Sequence, residues 1–230
     1  MVKMSCATIL HFMIILLIME LAIYCSGKNT TFGCIERERN ALLKLRASFI
    51  DPSNRLSSWN TKDCCTWQGV ACHETTRHVM TLDLKNADYR YAFSEYFNGR
   101  LSSEELDSSL LELKNLSYLD LSWNNFQLSP IPPFLGSMKQ LQYLNLCGAN
   151  FSGVVPYQLG NLSSLRVLDI NAWYGNLAID NLMWVSNFSS LKQLDMSSVN
   201  LSQTKDLFQA FRLHSEFHWR SLLIVLVTFE

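Results

Sequence analysis

A hydrophobic pattern in the middle of the chain repeats at a nearly constant interval. The spacing L-x-x-L-x-L, with Ile or Met allowed at the last position, begins at Leu116, Leu141, Leu165 and Leu191. These copies are 24 to 26 residues apart, and an earlier copy begins at Val79, 37 residues before the next. A repeat of this length is typical of a solenoid, whose coils bury their hydrophobic side chains against one another. We therefore predict about five repeats over residues 79–213, with the excess around 89–100 forming a loop insertion.

Polar residues alternate with the leucines inside each copy, and this alternation predicts a short β-strand. Stacking the coils places the strands side by side in a parallel sheet, which we expect to line the concave face. After one strand, Asn124 can hydrogen-bond the turn and Phe126 can fill the core. The equivalent positions elsewhere hold Ala87, Ala149 and Val199, so a continuous asparagine ladder is not expected.

A different unit precedes the repeats. Residues 36–49 carry apolar side chains at helical spacing, and Asp51-Pro52 follows as a stop signal. Four of the seven cysteines cluster around this segment: Cys34, Cys64, Cys65 and Cys72. In an oxidising compartment they indicate a cap stapled by two disulfides, whose connectivity the sequence leaves open. The alternative is a zinc site formed by Cys64, Cys65, Cys72 and His73, although paired C-x-x-C spacing is missing. Cys147 has no evident partner.

The first 27 residues have the layout of a secretory signal peptide: a lysine, an apolar run, and small residues near Gly27. A membrane anchor is the alternative, but the apolar run is shorter than the roughly 20 residues that a spanning helix needs. The formal net charge is −1 and the charges are dispersed. No basic stripe indicates a nucleic-acid partner, and no phosphate-binding loop, nucleophile elbow or metal-binding motif is present. We expect no enzyme activity, no metal and no cofactor.

The cap and repeats together resemble a known family. The segments Cys34–Leu43, Leu56–Trp59, Cys64–Cys72 and His78–Leu84, followed by Ser109–Ser122, are similar to plant leucine-rich-repeat receptor-like proteins, in particular the type that perceives fungal ethylene-inducing xylanase. The match covers roughly residues 30–212. The expected fold class is therefore α/β, a leucine-rich-repeat solenoid with a disulfide-stapled N-terminal helical cap over residues 28–78.

The resemblance implies a role as well as a fold. It implies a glycoprotein that enters the secretory pathway, lies on the outer face of the plasma membrane and acts in plant defence by binding a protein or peptide ligand together with a co-receptor kinase. It also implies disulfides between Cys34 and Cys64 and between Cys65 and Cys72. The alternative function is a soluble secreted inhibitor or decoy, similar to polygalacturonase-inhibiting proteins, because no membrane span follows the signal peptide in this sequence.

The repeat register disappears after residue 213, so we interpret residues 214–230 as an anomalous tail produced by truncation. The tail contains the apolar run Leu222–Val227, which is too short to span a bilayer and equally fits a buried strand. As a fragment of a longer receptor, the chain would belong to the apoplast.

Two sets of surface residues are candidate sites. The candidate ligand-facing residues are Tyr118, Trp123, Tyr143, Arg166 and Lys192. The aromatic members are chosen because aromatic side chains dominate interface hot spots. The aspartates at equivalent strand positions, by contrast, are interpreted as scaffold. Glycosylation sequons occur at Asn29, Asn115, Asn150, Asn161, Asn187 and Asn200. The repeat consensus itself generates several of these sequons, so not all of them are expected to be modified.

Overall fold

The computed structural model describes residues 33–86, 99–173 and 176–204, together with the backbone of 223–225. The predicted signal peptide at 1–27, the sequon at Asn29 and most of the loop insertion around 89–100 lie outside these ranges. So does the predicted tail at 214–230, apart from the three residues of its strand. No helix in the described ranges is long and apolar enough to cross a membrane.

Within the described ranges, the main sheet contains seven strands. They are β1 (Val70–Cys72), β2 (Val79–Asp83), β3 (Tyr118–Asp120), β4 (Tyr143–Asn145), β6 (Val167–Asp169), β8 (Gln193–Asp195) and β9 (Leu223–Val225). All neighbouring strands from β2 to β9 are parallel, whereas β1 pairs with β2 in antiparallel orientation. Strand β9 adds a further parallel strand beside β8.

The leucine column explains why the coils stack. The central leucine of each strand lies in register with the next, and all of them are fully buried: Leu82, Leu119, Leu144, Leu168 and Leu194. Burying one such side chain stabilises the fold by roughly 1.5 to 3 kcal/mol. Each leucine depends on the neighbouring coil for that burial, so the predicted solenoid is confirmed.

The opposite side of the solenoid is built from short 3₁₀ helices, which the sequence pattern did not predict. They span Ser108–Glu112, Pro133–Ser137, Tyr157–Asn161 and Met183–Asn187. Two small strands, β5 (Gly153–Val154) and β7 (Leu177–Ala178), pair in parallel ahead of the last two helices. The coils approach closely here because glycines face the next coil: a Cβ on Gly160 would lie 2.5 Å from the Trp184 carbonyl oxygen.

The N-terminal cap consists of α1 (Glu36–Ser48) and two disulfides, Cys34–Cys64 and Cys65–Cys72. The pairing implied by the resemblance is confirmed. The zinc alternative is wrong, because both disulfides consume the thiols that would bind the metal. Asp63 organises the link, since its Oδ1 accepts hydrogen bonds from the Cys34 and Cys65 amides at 3.0 Å each. Its other oxygen accepts from Arg77 at 2.7 Å.

Two polar side chains join the cap to the repeats. Glu38 on α1 is 3% exposed, and its carboxylate accepts the Val79 amide at 2.7 Å and contacts the His78 imidazole at 2.8 Å. The Arg55 guanidinium donates to the carbonyls of Leu84 and Lys85 at 2.8 and 2.6 Å. The cap therefore covers the first coil through directed hydrogen bonds as well as through apolar packing.

Asn124 is fully buried at the turn after β3. Its Nδ2 donates to the carbonyls of Leu84 and Leu121, both at 2.9 Å. Its Oδ1 accepts from the Leu101 amide at 3.2 Å and from Arg55 at 3.0 Å. This side chain supports the turn as predicted, and it also connects the second coil to the first coil and to the cap.

Candidate functional site

The outward-facing residues of β2, β3, β4, β6 and β8 form a continuous surface, which we call the strand wall. Its first row contains Thr81, Tyr118, Tyr143, Val167 and Gln193. Its second row contains Asp83, Asp120, Asn145, Asp169 and Asp195. Because the strands are parallel and in register, equivalent positions of successive repeats become neighbours. A ligand lying across the wall would contact several repeats at once.

Two of the candidate ligand-facing residues meet on this wall. The rings of Tyr118 and Tyr143 stack with centroids 4.2 Å apart and planes inclined by 8°. Both hydroxyls lie 3.4 Å from Oδ2 of Asp120, to which they can donate. Burial raises the pKa of each hydroxyl, so both stay neutral donors. The pair is thus a fixed aromatic platform held by a buried carboxylate.

The second row of the wall supports the backbone. In every one of its five residues, Oδ1 accepts the amide two residues later, at distances from 2.9 to 3.3 Å. Such side-chain turns fix the chain where it leaves the strand. The aspartates of this row therefore serve the scaffold, as the sequence predicted.

One of these carboxylates titrates abnormally. Burial, together with the charges of Asp195 and Asp120, raises the pKa of Asp169 to about 6, against the opposing effect of its bond from the Asn171 amide. An unfolded aspartate titrates near pH 4. Between these two values the folded chain binds the proton more tightly, so stability falls as the pH rises from about 4 to about 6.

Replacing Asp169 by asparagine is expected to raise the free energy of unfolding at pH 7 by roughly 1–2 kcal/mol. The amide keeps the Oδ1 acceptor and removes the buried charge, and Asn145 shows that asparagine fits this position in the neighbouring coil. Urea unfolding measured at pH 4 and pH 7 tests this. The gain should be absent at pH 4, where Asp169 is already protonated. An equal gain at both pH values would contradict the assignment.

The cationic candidates lie at the edge of the wall where the chain enters the strands, immediately before β6 and β8. Arg166 and Lys192 occupy equivalent positions in adjacent coils, and the Lys192 amide donates to the Arg166 carbonyl at 2.7 Å. Both side chains are exposed, and neither forms an ion pair with any residue that the structure describes. Each lies one residue before a member of the first row, the row that also contains the tyrosine pair. Positive charge and aromatic surface are therefore close along the same wall.

Trp123 lies after its strand and not before it as Arg166 and Lys192 do. It lies in the turn after β3 with φ of 61°, and its ring covers Gly148 in the next coil. The ring also meets Trp173 edge-on, with centroids 5.7 Å apart. Trp173, which the sequence pattern did not single out, is 46% exposed. These two tryptophans add aromatic surface at the other edge of the wall, where the chain leaves β3 and β6.

The sequons within the described ranges differ in accessibility. Asn161 and Asn187 are exposed and end two successive 3₁₀ helices, whereas Asn115 is half-buried. Asn150 is also half-buried, and its Nδ2 donates to Asn125 at 2.7 Å. Asn200 is exposed. None of these five asparagines belongs to a wall strand, so glycans attached to them would start away from the tyrosine pair.

The fold and the cap define the class: a leucine-rich-repeat protein. Residues 35–73 match the leucine rich repeat N-terminal domain, and residues 115–138 and 140–162 match the leucine rich repeat. The sequence is related to those of plant receptor-like proteins. It is 41% identical over 207 residues to receptor-like protein EIX1 of Solanum lycopersicum, covering 86% of this chain and 19% of that protein.

A second tomato relative, receptor-like protein EIX2, is 41% identical over 156 residues, which cover 64% of this chain and 15% of that protein. Among solved structures, the ectodomain of the Arabidopsis thaliana receptor kinase GASSHO1/SCHENGEN3, in complex with CASPARIAN STRIP INTEGRITY FACTOR 2, is similar with a TM-score of 0.59 and 25% identity. That likeness covers 82% of this chain and 20% of the other. The chain thus spans less than a fifth of the length of either tomato relative.

Proposed function

We propose that this chain is part of the extracellular ligand-recognition region of a plant cell-surface receptor-like protein that acts in defence signalling. It works by binding and not by catalysis, and it enters the secretory pathway to reach the outer face of the plasma membrane. Its partners are a protein or peptide ligand and a co-receptor kinase. The stacked pair of Tyr118 and Tyr143 on the strand wall is the observation that carries this proposal.

The chemistry of the wall supports a peptide-like ligand. The tyrosine pair is half-buried yet open on one side, and it is rigid because stacking and Asp120 fix both rings. Rigid aromatic anchors lose little conformational entropy when a partner binds. Arg166 and Lys192 add positive charge at the edge of the same surface. A segment with an apolar side chain next to a carboxylate would match both features.

Removing one ring of the pair should weaken binding. We expect Tyr143→Ala to lower affinity for a captured ligand about tenfold or more, because truncating a central aromatic anchor costs on the order of 2 kcal/mol. The secreted chain is first used to screen plant and fungal secreted protein fractions, and the ligand obtained is then titrated by surface plasmon resonance.

Tyr157 provides the matched control, because it is 69% exposed but lies on the side of the 3₁₀ helices. Tyr157→Ala should leave the affinity unchanged and both variants should be secreted at the parental level. The proposal would be refuted if Tyr157→Ala lost binding while Tyr143→Ala bound fully. It would also be refuted if neither fraction contained a ligand.

A further inference from the structure

A groove of about 490 Å³ opens on the side of the solenoid opposite the strand wall. Its lining comes from two successive coils, with Tyr157 on one coil and Asp180, Asn181, Met183, Trp184 and Asn187 on the next. None of these residues takes part in the strand wall. The groove therefore requires its own explanation.

One lining residue indicates that something covers the groove. The Tyr157 side chain is 69% exposed although its ring is largely apolar. Trp184 is only 5% exposed, and its indole Nε1 has no hydrogen-bond partner among the described residues. That nitrogen has less than 1 Å² of exposed surface, so a molecule in the groove cannot reach it. The groove therefore combines the uncovered ring of Tyr157 with a buried indole.

The third feature is the sequon Asn187-Phe188-Ser189, whose asparagine is itself a lining residue. Asn187 is exposed, while Phe188 is buried and packs edge-on against Trp184 with ring centroids 5.8 Å apart. The acceptor asparagine is consequently held next to the indole that lacks a partner. A glycan on Asn187 would leave the chain at the groove.

We propose that the N-linked glycan of Asn187 lies in this groove, with its innermost sugars packed on the exposed ring of Tyr157. The inference rests on the predicted modification of Asn187. A pyranose ring has an apolar face that suits an aromatic side chain, together with hydroxyl and acetamido groups that hydrogen-bond. Asp180 and Asn181, both exposed, provide polar partners at the rim. Covalent attachment gives this sugar a high effective concentration over any free one.

The preceding coil offers an internal control. Asn161 ends its 3₁₀ helix as Asn187 does, is equally exposed, and belongs to the sequon Asn161-Leu162-Ser163. At the position equivalent to Trp184 this coil has Gln158. A glycan on Asn161 therefore has the same type of attachment but no indole beside it.

The test uses the full chain secreted from mammalian cells and treated under native conditions with peptide N-glycosidase F, with release at each sequon followed by peptide mass spectrometry. Release at Asn187 should be about tenfold slower than at Asn161, because a seated sugar hides the bond to asparagine. Tyr157→Ala should bring the Asn187 rate up to the Asn161 rate and leave the latter unchanged. Equal rates in the parental chain, an unmodified Asn187, or no effect of Tyr157→Ala would overturn the proposal.

A second measurement separates an attached glycan from a free carbohydrate. The Asn187→Gln chain should bind N,N′-diacetylchitobiose through Tyr157, whereas the glycosylated parental chain should not. Binding of xylan or cellulose oligosaccharides to the glycosylated parental chain, abolished by Tyr157→Ala, would show that the groove is open to free sugars and would overturn the proposal. Thermal unfolding of each variant confirms that the fold is intact in both experiments.

Discussion

Replacing Asn124 by alanine is expected to lower the free energy of unfolding by about 3–5 kcal/mol. The change leaves the carbonyls of Leu84 and Leu121 without their donor, and it deprives Arg55 and the Leu101 amide of an acceptor. All of these groups lie where the cap meets the first two coils. Water cannot readily replace the amide, because Asn124 is fully buried. Urea unfolding followed by tryptophan fluorescence measures the loss.

The neighbouring residue gives the control for this prediction. Asn125 is half-buried, and its Oδ1 accepts from the Gln127 amide and from Asn150. Because water can substitute for these bonds, Asn125→Ala should cost less than about 1 kcal/mol. Two of the equivalents of Asn124 in later coils are the buried Ala149 and Val199, which shows that the turn itself tolerates an apolar residue. If Asn124→Ala also cost less than about 1 kcal/mol, the asparagine would serve only its own turn.

Gly136→Ala is the second change expected to have a large effect, with a loss of about 2–4 kcal/mol. A Cβ at Gly136 would overlap the carbonyl group of Gln158 in the next coil, and backbone atoms cannot rotate away as a side chain could. The two coils would have to move apart, which loosens the leucine column beneath them. The thermal unfolding midpoint of the secreted chain measures the effect.

Gly153→Ala separates this overlap from the loss of glycine flexibility. Gly153 has φ of 82°, and no atom lies within 4 Å of the point that a Cβ would occupy, so alanine there meets strain without overlap. It should cost only about 1 kcal/mol. Equal losses at the two glycines would show that coil spacing does not depend on the missing Cβ of Gly136.

The sequence predicts the features of this fold that are periodic. The leucine spacing places the strands within a residue or two, since the first predicted copy at Val79 begins β2 and the copy at Leu116 leads into β3 at Tyr118. The helix predicted over 36–49 is α1. These features are readable because one physical demand, burial of an apolar face, is repeated in every coil.

The contacts that are not periodic could not be read in the same way. Glu38 and Arg55 look like ordinary surface charges in the sequence. The partners of the Glu38 carboxylate are 40 or more residues away in the chain. Those of the Arg55 guanidinium are between 29 and 69 residues away. The 3₁₀ helices are only one or two turns long, too short to show a helical period. At the candidate site, the sequence identified both tyrosines, but their stacking depends on the register of β3 and β4.

The separation of roles within each coil connects the fold to the proposed function. Leucines and the turn-supporting aspartates determine the scaffold, so the first row of the strand wall is free to carry side chains for recognition. Cys147 shows how closely the two sets of positions lie: it lies two residues after the end of β4, is buried, and has no disulfide partner in the described chain. Burial raises the pKa of its thiol, which keeps it protonated.

A glycan placed on the strand wall would show whether ligands bind at this surface. Cys147→Ser creates an Asn-x-Ser acceptor at Asn145, and Ser122 and Ser197 at equivalent positions show that serine fits there. Cys147→Ala removes the thiol without creating an acceptor. With occupancy verified by mass spectrometry, we expect the Cys147→Ser chain glycosylated at Asn145 to lose ligand affinity about tenfold or more, while the Cys147→Ala chain binds normally. Unchanged affinity in the chain that carries this glycan would contradict the strand wall as the recognition surface.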